Sequence, residues 1–203
     1  NSGTTDTTLG KDSSGQDNHW TPNNFSVSAG SDNDSVTDTP TNNYCVMNNL
    51  LNGPRDHGDD SSAVFANGNL KVTCNGSGDD VAGTIGVEQG KWYYEVKLVE
   101  QQNHGAGWTR IVDFNNNEFA ESNEGIINMD GHIGTRGASK IVNNGTVSDS
   151  TNSWNDGDIV GFAFDIDARE LKIYHNGSLD TTLSNLEDTA SPWVPIVGDQ
   201  SST

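Results

Sequence analysis

The chain has 203 residues, 31% of them hydrophobic, and 29 acidic against 10 basic residues give it a formal net charge of −19. That length fits one large domain, or one domain with an extended arm. The negative charge repels phosphate backbones and anionic lipid headgroups, which argues against a nucleic-acid or anionic membrane partner. No apolar stretch approaches the roughly 18 residues of a membrane-spanning helix, so membrane insertion is not predicted.

The N-terminal segment differs in composition from the rest of the chain. Residues 1–43 are rich in Ser, Thr, Asn and Asp, and their candidate apolar anchors are Trp20, Phe25 and Val27. We therefore predict an extended N-terminal arm over residues 1–43 and a folded domain over residues 44–203. Trp20 is expected to pack the arm against the domain or against a neighbouring subunit.

From residue 44 onward, short β-like runs alternate with turn residues. Windows rich in Ala, Leu, Glu and Lys are missing, which argues against helices. Asn-Gly pairs at 52–53, 67–68 and 75–76 are typical of hairpin turns. This spacing predicts an all-β protein built as an antiparallel sandwich. The predicted strands are 44–47, 63–66, 70–74, 81–87, 91–99, 106–112, 126–129, 140–142, 159–166, 171–174, 179–183 and 193–197.

Residues 157–177 give the clearest pattern. An unbroken apolar run is followed by a short polar turn, an alternating run and an Asn-Gly turn at 176–177. The pattern predicts a central strand buried on both faces and a half-buried hairpin partner. Residues 91–99 also alternate, and we expect Trp92 of this run and Trp108 of the next to lie in the core.

Several motifs, in the right order, resemble the SPRY domain. The segment 90–96 reads Gly-Lys-Trp-Tyr-Tyr-Glu-Val, and a Gly-Trp pair follows at 107–108. Later come Gly-Asp-Ile-Val-Gly at 157–161, a Leu-to-Asn-Gly hairpin at 171–177 and Pro-Ile-Val at 195–197. Two matches are imperfect, because 126–134 lacks a tyrosine and Ile173 replaces an aromatic residue. The resemblance covers roughly 81–198 and implies a concanavalin-like, jelly-roll β-sandwich that binds partners and performs no chemistry.

The N-terminal segment carries a second resemblance. Asp-Ser-Ser-Gly at 12–15, Trp-Thr-Pro-Asn-Asn-Phe-Ser at 20–26 and Asp-Thr-Pro-Thr-Asn-Asn at 38–43 resemble the lead-in of SPRY-like bacteriophage structural proteins. This resemblance implies a virion component, such as a tail, fibre or decoration protein, located on the virion or outside the cell. It implies contacts with other virion subunits, in a homo-oligomer, and recognition of a host surface glycan or protein.

One segment competes with the non-enzymatic interpretation. Asp165, Asp167 and Glu170 nearly copy the Glu-X-Asp-X-X-Glu motif of sandwich-fold glucan hydrolases, which use paired carboxylates. The first position is one methylene shorter, however, and the predicted turn at 167–169 is expected to take Glu170 off the shared face. The alternative, a glycan-cleaving enzyme, is therefore ranked below binding, and no catalytic residue is assigned.

Other chemistries find no support in the sequence. The five histidines lack metal-ligand spacing, and no nucleophile elbow or phosphate-binding loop is present, so no metal or cofactor is predicted. Acidic clusters such as Asp56 to Asp60 lack the ordered spacing of a calcium loop. Cys45 and Cys74 fit either one disulfide or two buried thiols.

Loops at one end of a sandwich are the natural place for a ligand. Asn, His, Arg and Trp side chains suit hydrogen bonding and stacking against sugars or peptide backbone. Two alternatives to host recognition stay open: a purely architectural virion protein, and a cellular SPRY adaptor that binds a peptide. The candidate binding residues are His104, Asn115, Asn116, Asn117, His132, Arg136 and Trp154.

Overall fold

The computed structural model describes residues 10–21, 23, 44–52, 63–74, 79–100, 104–112, 131–144, 146–186 and 191–199. Thirteen strands are present in these ranges, and all their pairings are antiparallel. The strands are β1 (Met47–Asn52), β2 (Val64–Ala66), β3 (Lys71–Thr73), β4 (Val81–Gly83), β5 (Lys91–Lys97), β6 (His104–Arg110), β7 (His132–Arg136), β8 (Lys140–Asn143), β9 (Thr146–Asp149), β10 (Ile159–Asp165), β11 (Glu170–His175), β12 (Ser178–Ser184) and β13 (Trp193–Asp199).

The strands form two main sheets and a short hairpin. The larger sheet has seven strands in the order β1-β4-β13-β6-β7-β8-β9, and the smaller has four in the order β12-β11-β10-β5. The hairpin consists of β2 and β3. This arrangement confirms the predicted antiparallel β-sandwich. No described helix combines the length and the hydropathy that a membrane span requires.

The main core lies between the two sheets. From the smaller sheet, β10 contributes Val160, Phe162 and Phe164, which alternate with outward-facing residues as a strand requires. From the larger sheet, Trp108 and Ile133, which face each other across β6 and β7, pack into the same cluster. Burial of this cluster between the sheets removes apolar surface from water and stabilises the sandwich.

The outer faces of the two sheets differ in burial. On the larger sheet, the outward-facing Ile196 and Val142 are as buried as the core residues. They lie in one cross-strand row with Gly107 and Gly134, whose lack of side chains brings the backbones of β6 and β7 close together. On the smaller sheet, the outward-facing residues of β5 and β12 are largely exposed. The central strands of the larger sheet are thus buried on both faces, and those of the smaller sheet mainly on one.

The Asn-Gly turns at 67–68 and 176–177 are confirmed. Both residues of each pair have positive φ, between 48° and 80°. The pair at 176–177 forms a two-residue hairpin turn, whereas the pair at 67–68 begins a four-residue connection. They connect β2 to β3 and β11 to β12. The other two predicted Asn-Gly turns, at 52–53 and 75–76, lie wholly or partly outside the described residues.

Some sequence predictions need correction. Strands β7 and β9 were not predicted, and the predicted strand 44–47 is shifted to Met47–Asn52. The predicted strand 126–129 lies outside the described residues. Trp108 is buried as expected, but Trp92 is 44% exposed at the end of the smaller sheet, so its assignment to the core was wrong. Strand β10 is central, yet its outward positions are Gly161, Ala163 and Asp165 and not a second apolar layer.

Candidate binding site at one end of the sandwich

Strand direction decides which predicted site residues meet. His104 begins β6 and Arg136 ends β7, and the pairing of Gly107 with Gly134 brings both to the same end of the larger sheet. The 150–154 segment passes the same place, because Ser150 and Trp154 donate backbone hydrogen bonds to Ser139 and Ala138 in the β7–β8 turn. We call this region the loop end, defined by His104, Arg136, residues 137–139, residues 150–158 and the turn at 176–177.

Asn115, Asn116 and Asn117 lie outside the described residues. The chain enters their segment after Val112 and leaves it before Gly131. Both flanking positions are at the opposite end of β6 and β7 from His104 and Arg136.

His132 was predicted in an accessible loop, and this location was wrong. It lies within β7, opposite Thr109 of β6, and has no exposed surface. Its two ring nitrogens and the Thr109 hydroxyl are fully buried. Burial lowers the pKa of His132 to about 4, so the ring is neutral at physiological pH. His132 cannot contact a ligand at the surface of this conformation.

Trp154 was also predicted as a surface contact, yet only 2% of it is exposed. Its ring meets the His175 ring edge to face, with centroids 5.3 Å apart. Trp154 thus forms part of the buried floor under the loop end. Of the described predicted residues, Arg136 and His104 retain partial exposure.

A polar network that the sequence analysis did not assign holds the loop end of the smaller sheet. The carboxylate of Asp158 receives a hydrogen bond from the Asn176 side-chain amide at 2.8 Å and lies 2.8 Å from Nε2 of His175. The backbone N–H of Asn155 also donates to it, at 2.8 Å. These bonds, led by that from Asn176, hold the pKa of Asp158 well below its usual range. In the sequence, the Gly-Asp pair before β10 and the His-Asn-Gly run at the end of β11 were the features that could have indicated this network.

The candidate catalytic carboxylates are engaged in other interactions. Asp165 forms an ion pair with Lys91 at 2.8 Å, which together with the Ala168 N–H lowers its pKa. Glu170 pairs with Lys172 at 2.9 Å. Asp165 and Glu170 are direct cross-strand partners, so the expectation that Glu170 leaves the shared face was wrong.

The third carboxylate lies in the turn, as expected. Asp167 accepts the backbone N–H of Gly90 at 3.1 Å, and the turn closes through the Arg169 N–H bond to Ile166. This arrangement is typical of hairpin ends that are tied by charge pairs.

The described residues include both cysteines and several potential metal-binding side chains. Within the described ranges, no group of three or more His, Cys, Asp or Glu side chains could hold a metal ion. Cys45 and Cys74 are not joined by a disulfide. The Cys74 thiol donates to the carbonyl of Asp79 at 3.3 Å, and Cys45 packs against Gly83. The sequence had left both arrangements open.

The described residues thus form a two-sheet antiparallel sandwich with a hydrogen-bonded polar network at one end. The SPRY domain family matches residues 91–202, more than half of the chain, and the chain belongs to this family. SPRY domains are generally protein-binding modules without enzymatic activity.

Solved structures agree with this fold. The SPRY domain of human HERC1 is similar over 70% of this chain and 86% of its own, with 19% identity and a TM-score of 0.52. The stonustoxin structure is similar over 76% of this chain, with 15% identity and a TM-score of 0.58, but the match covers 25% of the stonustoxin chain. At these identities the similarity shows the fold alone. No curated protein sequence matches the chain.

Proposed function

We propose that this SPRY domain is a non-enzymatic recognition module of a bacteriophage particle, in a tail, fibre or decoration protein. It binds a host surface glycan or protein through the loop end. The observation that carries the proposal is that the partly exposed Arg136 and His104 lie at the same end of the sandwich as the hydrogen-bonded and packed Trp154, His175 and Asp158. Fixed supporting groups lower the entropic cost of binding, which favours recognition by the side chains around them.

The phage setting is supported by the resemblance of residues 12–43 to the lead-in of phage structural proteins. Within the described part of that segment, the Asp12 carboxylate accepts the backbone N–H groups of Ser14 and Asn18, which makes a self-contained turn. Trp20 is 62% exposed, so it does not pack the arm against the described sandwich. The second prediction for Trp20, contact with a neighbouring subunit in a homo-oligomer on the virion or outside the cell, belongs to this proposal.

The experiment measures saturable binding of the purified, labelled protein to host-type cells and to their isolated surface polysaccharide and surface proteins. Arg136→Ala and His104→Ala should each weaken binding about tenfold or more, the loss of roughly one charged hydrogen bond. Lys71→Ala, which removes an exposed positive charge from the β2–β3 hairpin, is the matched control and should bind as the parent does.

Each alternative predicts a different result. A folded oligomer that binds no host material would favour the architectural virion protein. Affinity for a short peptide, lost in Arg136→Ala, would favour a cellular SPRY adaptor. Release of new reducing ends from a glycan, abolished in Asp165→Asn, would favour the enzyme.

A further inference from the structure

The outer face of the smaller sheet presents an aromatic ring in an unusual position. Tyr93 stands opposite Ala163 on β10, yet its phenol end occupies the space above Gly161, two residues further along that strand. A side chain added at Gly161 would lie 2.6 Å from the Tyr93 hydroxyl oxygen. Diagonal positions on neighbouring strands are about 7–8 Å apart, so Tyr93 must lie along the sheet and not stand away from it.

This ring is held in place while one side stays open. Its hydroxyl donates to Oε1 of Glu95 at 2.6 Å, and this bond raises the pKa of Tyr93 to about 12, so the phenol keeps its proton. Glu95 stands directly opposite Gly161, and Tyr174 stands on the other side of the same glycine. Even so, Tyr93 is 57% exposed. The result is a flat ring, fixed at its tip, with its outer surface in solvent.

We propose that Tyr93 is the centre of a carbohydrate-stacking platform that binds a neutral glycan. The face of an aromatic ring carries partial negative charge, and the C–H groups on the flat side of a sugar ring carry partial positive charge, so the two attract each other when stacked. On the same face, Glu95 follows Tyr93 on β5, and Lys172 and Thr182 lie on β11 and β12 in the cross-strand row that begins at Tyr93. These side chains supply hydrogen-bonding groups for sugar hydroxyls.

Charge favours a neutral glycan over an acidic one. Three lysines and three carboxylates share this face, and two of these pairs are joined, Lys91 with Asp165 and Lys172 with Glu170. The face is therefore balanced on a chain of net charge −19, which would repel a polyanionic ligand.

The size of the face argues against a second copy of the chain as its occupant. Three strand spacings of about 4.8 Å and six residue steps of about 3.4 Å give a footprint of about 14 by 20 Å. This flat area, about 280 Å², is smaller than the about 800 Å² of accessible surface per partner that a stable protein interface buries, so a second copy would also have to cover residues beyond this face. An oligosaccharide of a few sugar units fits this footprint.

The test titrates the whole protein with neutral hexasaccharides of β-1,4- and β-1,3-linked glucose, and with alginate as the anionic comparison. Binding is followed by affinity electrophoresis and by NMR of the tyrosine rings. Tyr93→Ala should weaken binding at least tenfold, and Tyr93→Phe, which keeps the ring, should bind within about threefold of the parent. Tyr44→Ala is the matched control, because Tyr44 is equally exposed, at 58%, elsewhere on the molecule.

Several outcomes would overturn the platform. They are no saturable binding of either neutral glycan by the folded protein, binding that survives Tyr93→Ala, and Tyr93-dependent dimers in sedimentation. Glycan binding that is lost in Arg136→Ala but retained in Tyr93→Ala would place the ligand at the loop end, which supports the proposed function and removes the platform. Glycan binding that is lost in Tyr93→Ala but normal in Arg136→Ala would place the ligand on the Tyr93 platform and not at the loop end.

Discussion

The two sheets of the sandwich use their outer faces differently. On the larger sheet, Ile196, Val142 and His132 face outward and are fully buried. On the smaller sheet, the outward-facing Glu95 is exposed and Tyr174 is half-buried, while Gly161 between them lies beneath the exposed Tyr93 ring. Because a face that is buried on folding cannot meet a ligand without rearrangement, we expect substitutions on the larger sheet to change stability. Substitutions on the smaller sheet should change recognition.

The sharpest test compares one outward-facing aliphatic residue on each sheet. Ile196→Ala should lower the free energy of unfolding by about 2–5 kcal/mol, because it removes buried methylenes and leaves a cavity. Leu179→Ala, at an exposed position of β12, should change it by less than about 0.5 kcal/mol. Urea denaturation of both variants measures the difference, and equal losses would show that the two outer faces are not distinct.

The burial of the outer face of the larger sheet can also be tested through the pH dependence of stability, because His132 lies on that face. The pKa is about 4 in the folded protein and about 6.5 in an unfolded chain, so between these values the unfolded state binds more protons. Stability should therefore rise by roughly 3 kcal/mol as the pH increases from 4 to 6.5. His132→Leu should remove this slope in unfolding measured across the range, and His19→Leu, an exposed control, should keep it. A slope that survives in His132→Leu would mean that another group causes it.

A glycine-to-alanine substitution can be compared between the sheets, at Gly107 on the larger sheet and at Gly161 on the smaller. An added methyl at Gly107 would meet the backbone oxygen of Ile133 at 2.2 Å, so Gly107→Ala should cost about 1–3 kcal/mol. At Gly161 the obstacle is the end of the exposed Tyr93 side chain, which can move aside only by giving up its hydrogen bond to Glu95, so Gly161→Ala should cost about 1 kcal/mol or less. Thermal unfolding ranks the two variants, and the reverse order would contradict the comparison.

The smallest expected effect concerns Asp158, which supports the smaller sheet at the loop end by polar bonds. Its folded pKa lies below the unfolded value of about 3.9, so its contribution is present above that pH and is lost as the pH falls. Asp158→Asn should cost about 1–2 kcal/mol at pH 7, with a smaller difference at pH 3. Unfolding at both pH values measures it, with Asp17→Asn as the exposed control. A constant difference would assign the effect to packing and not to charge.

Much of the fold could be predicted from local patterns. The alternation in β5, the apolar run of β10 and the Asn-Gly turn after β11 each depend on residues close together in sequence. Strand β7 was missed because its His-Ile-Gly-Thr-Arg sequence has one strongly apolar residue and reads as a polar loop. Its strand pairing comes from β6 and β8, and Gly134 fits because it faces Gly107.

The candidate site was predicted less well than the fold, because side-chain type does not reveal exposure. His132 and Trp154 have the chemistry of ligand contacts but are covered by the structure around them. Asp158 and His175 were assigned only to a strand signature, although they form the network beneath the loop end.

The sequence by itself determined the antiparallel sandwich, its family and most of its strands, since these follow from short-range alternation and turn chemistry. Only the tertiary structure decided which faces are covered, that His104 and Arg136 share one end, and that Tyr93 lies over Gly161. Those features depend on how strands distant in sequence pair and pack, and the period-two pattern of a strand does not specify which of its two faces another layer will cover.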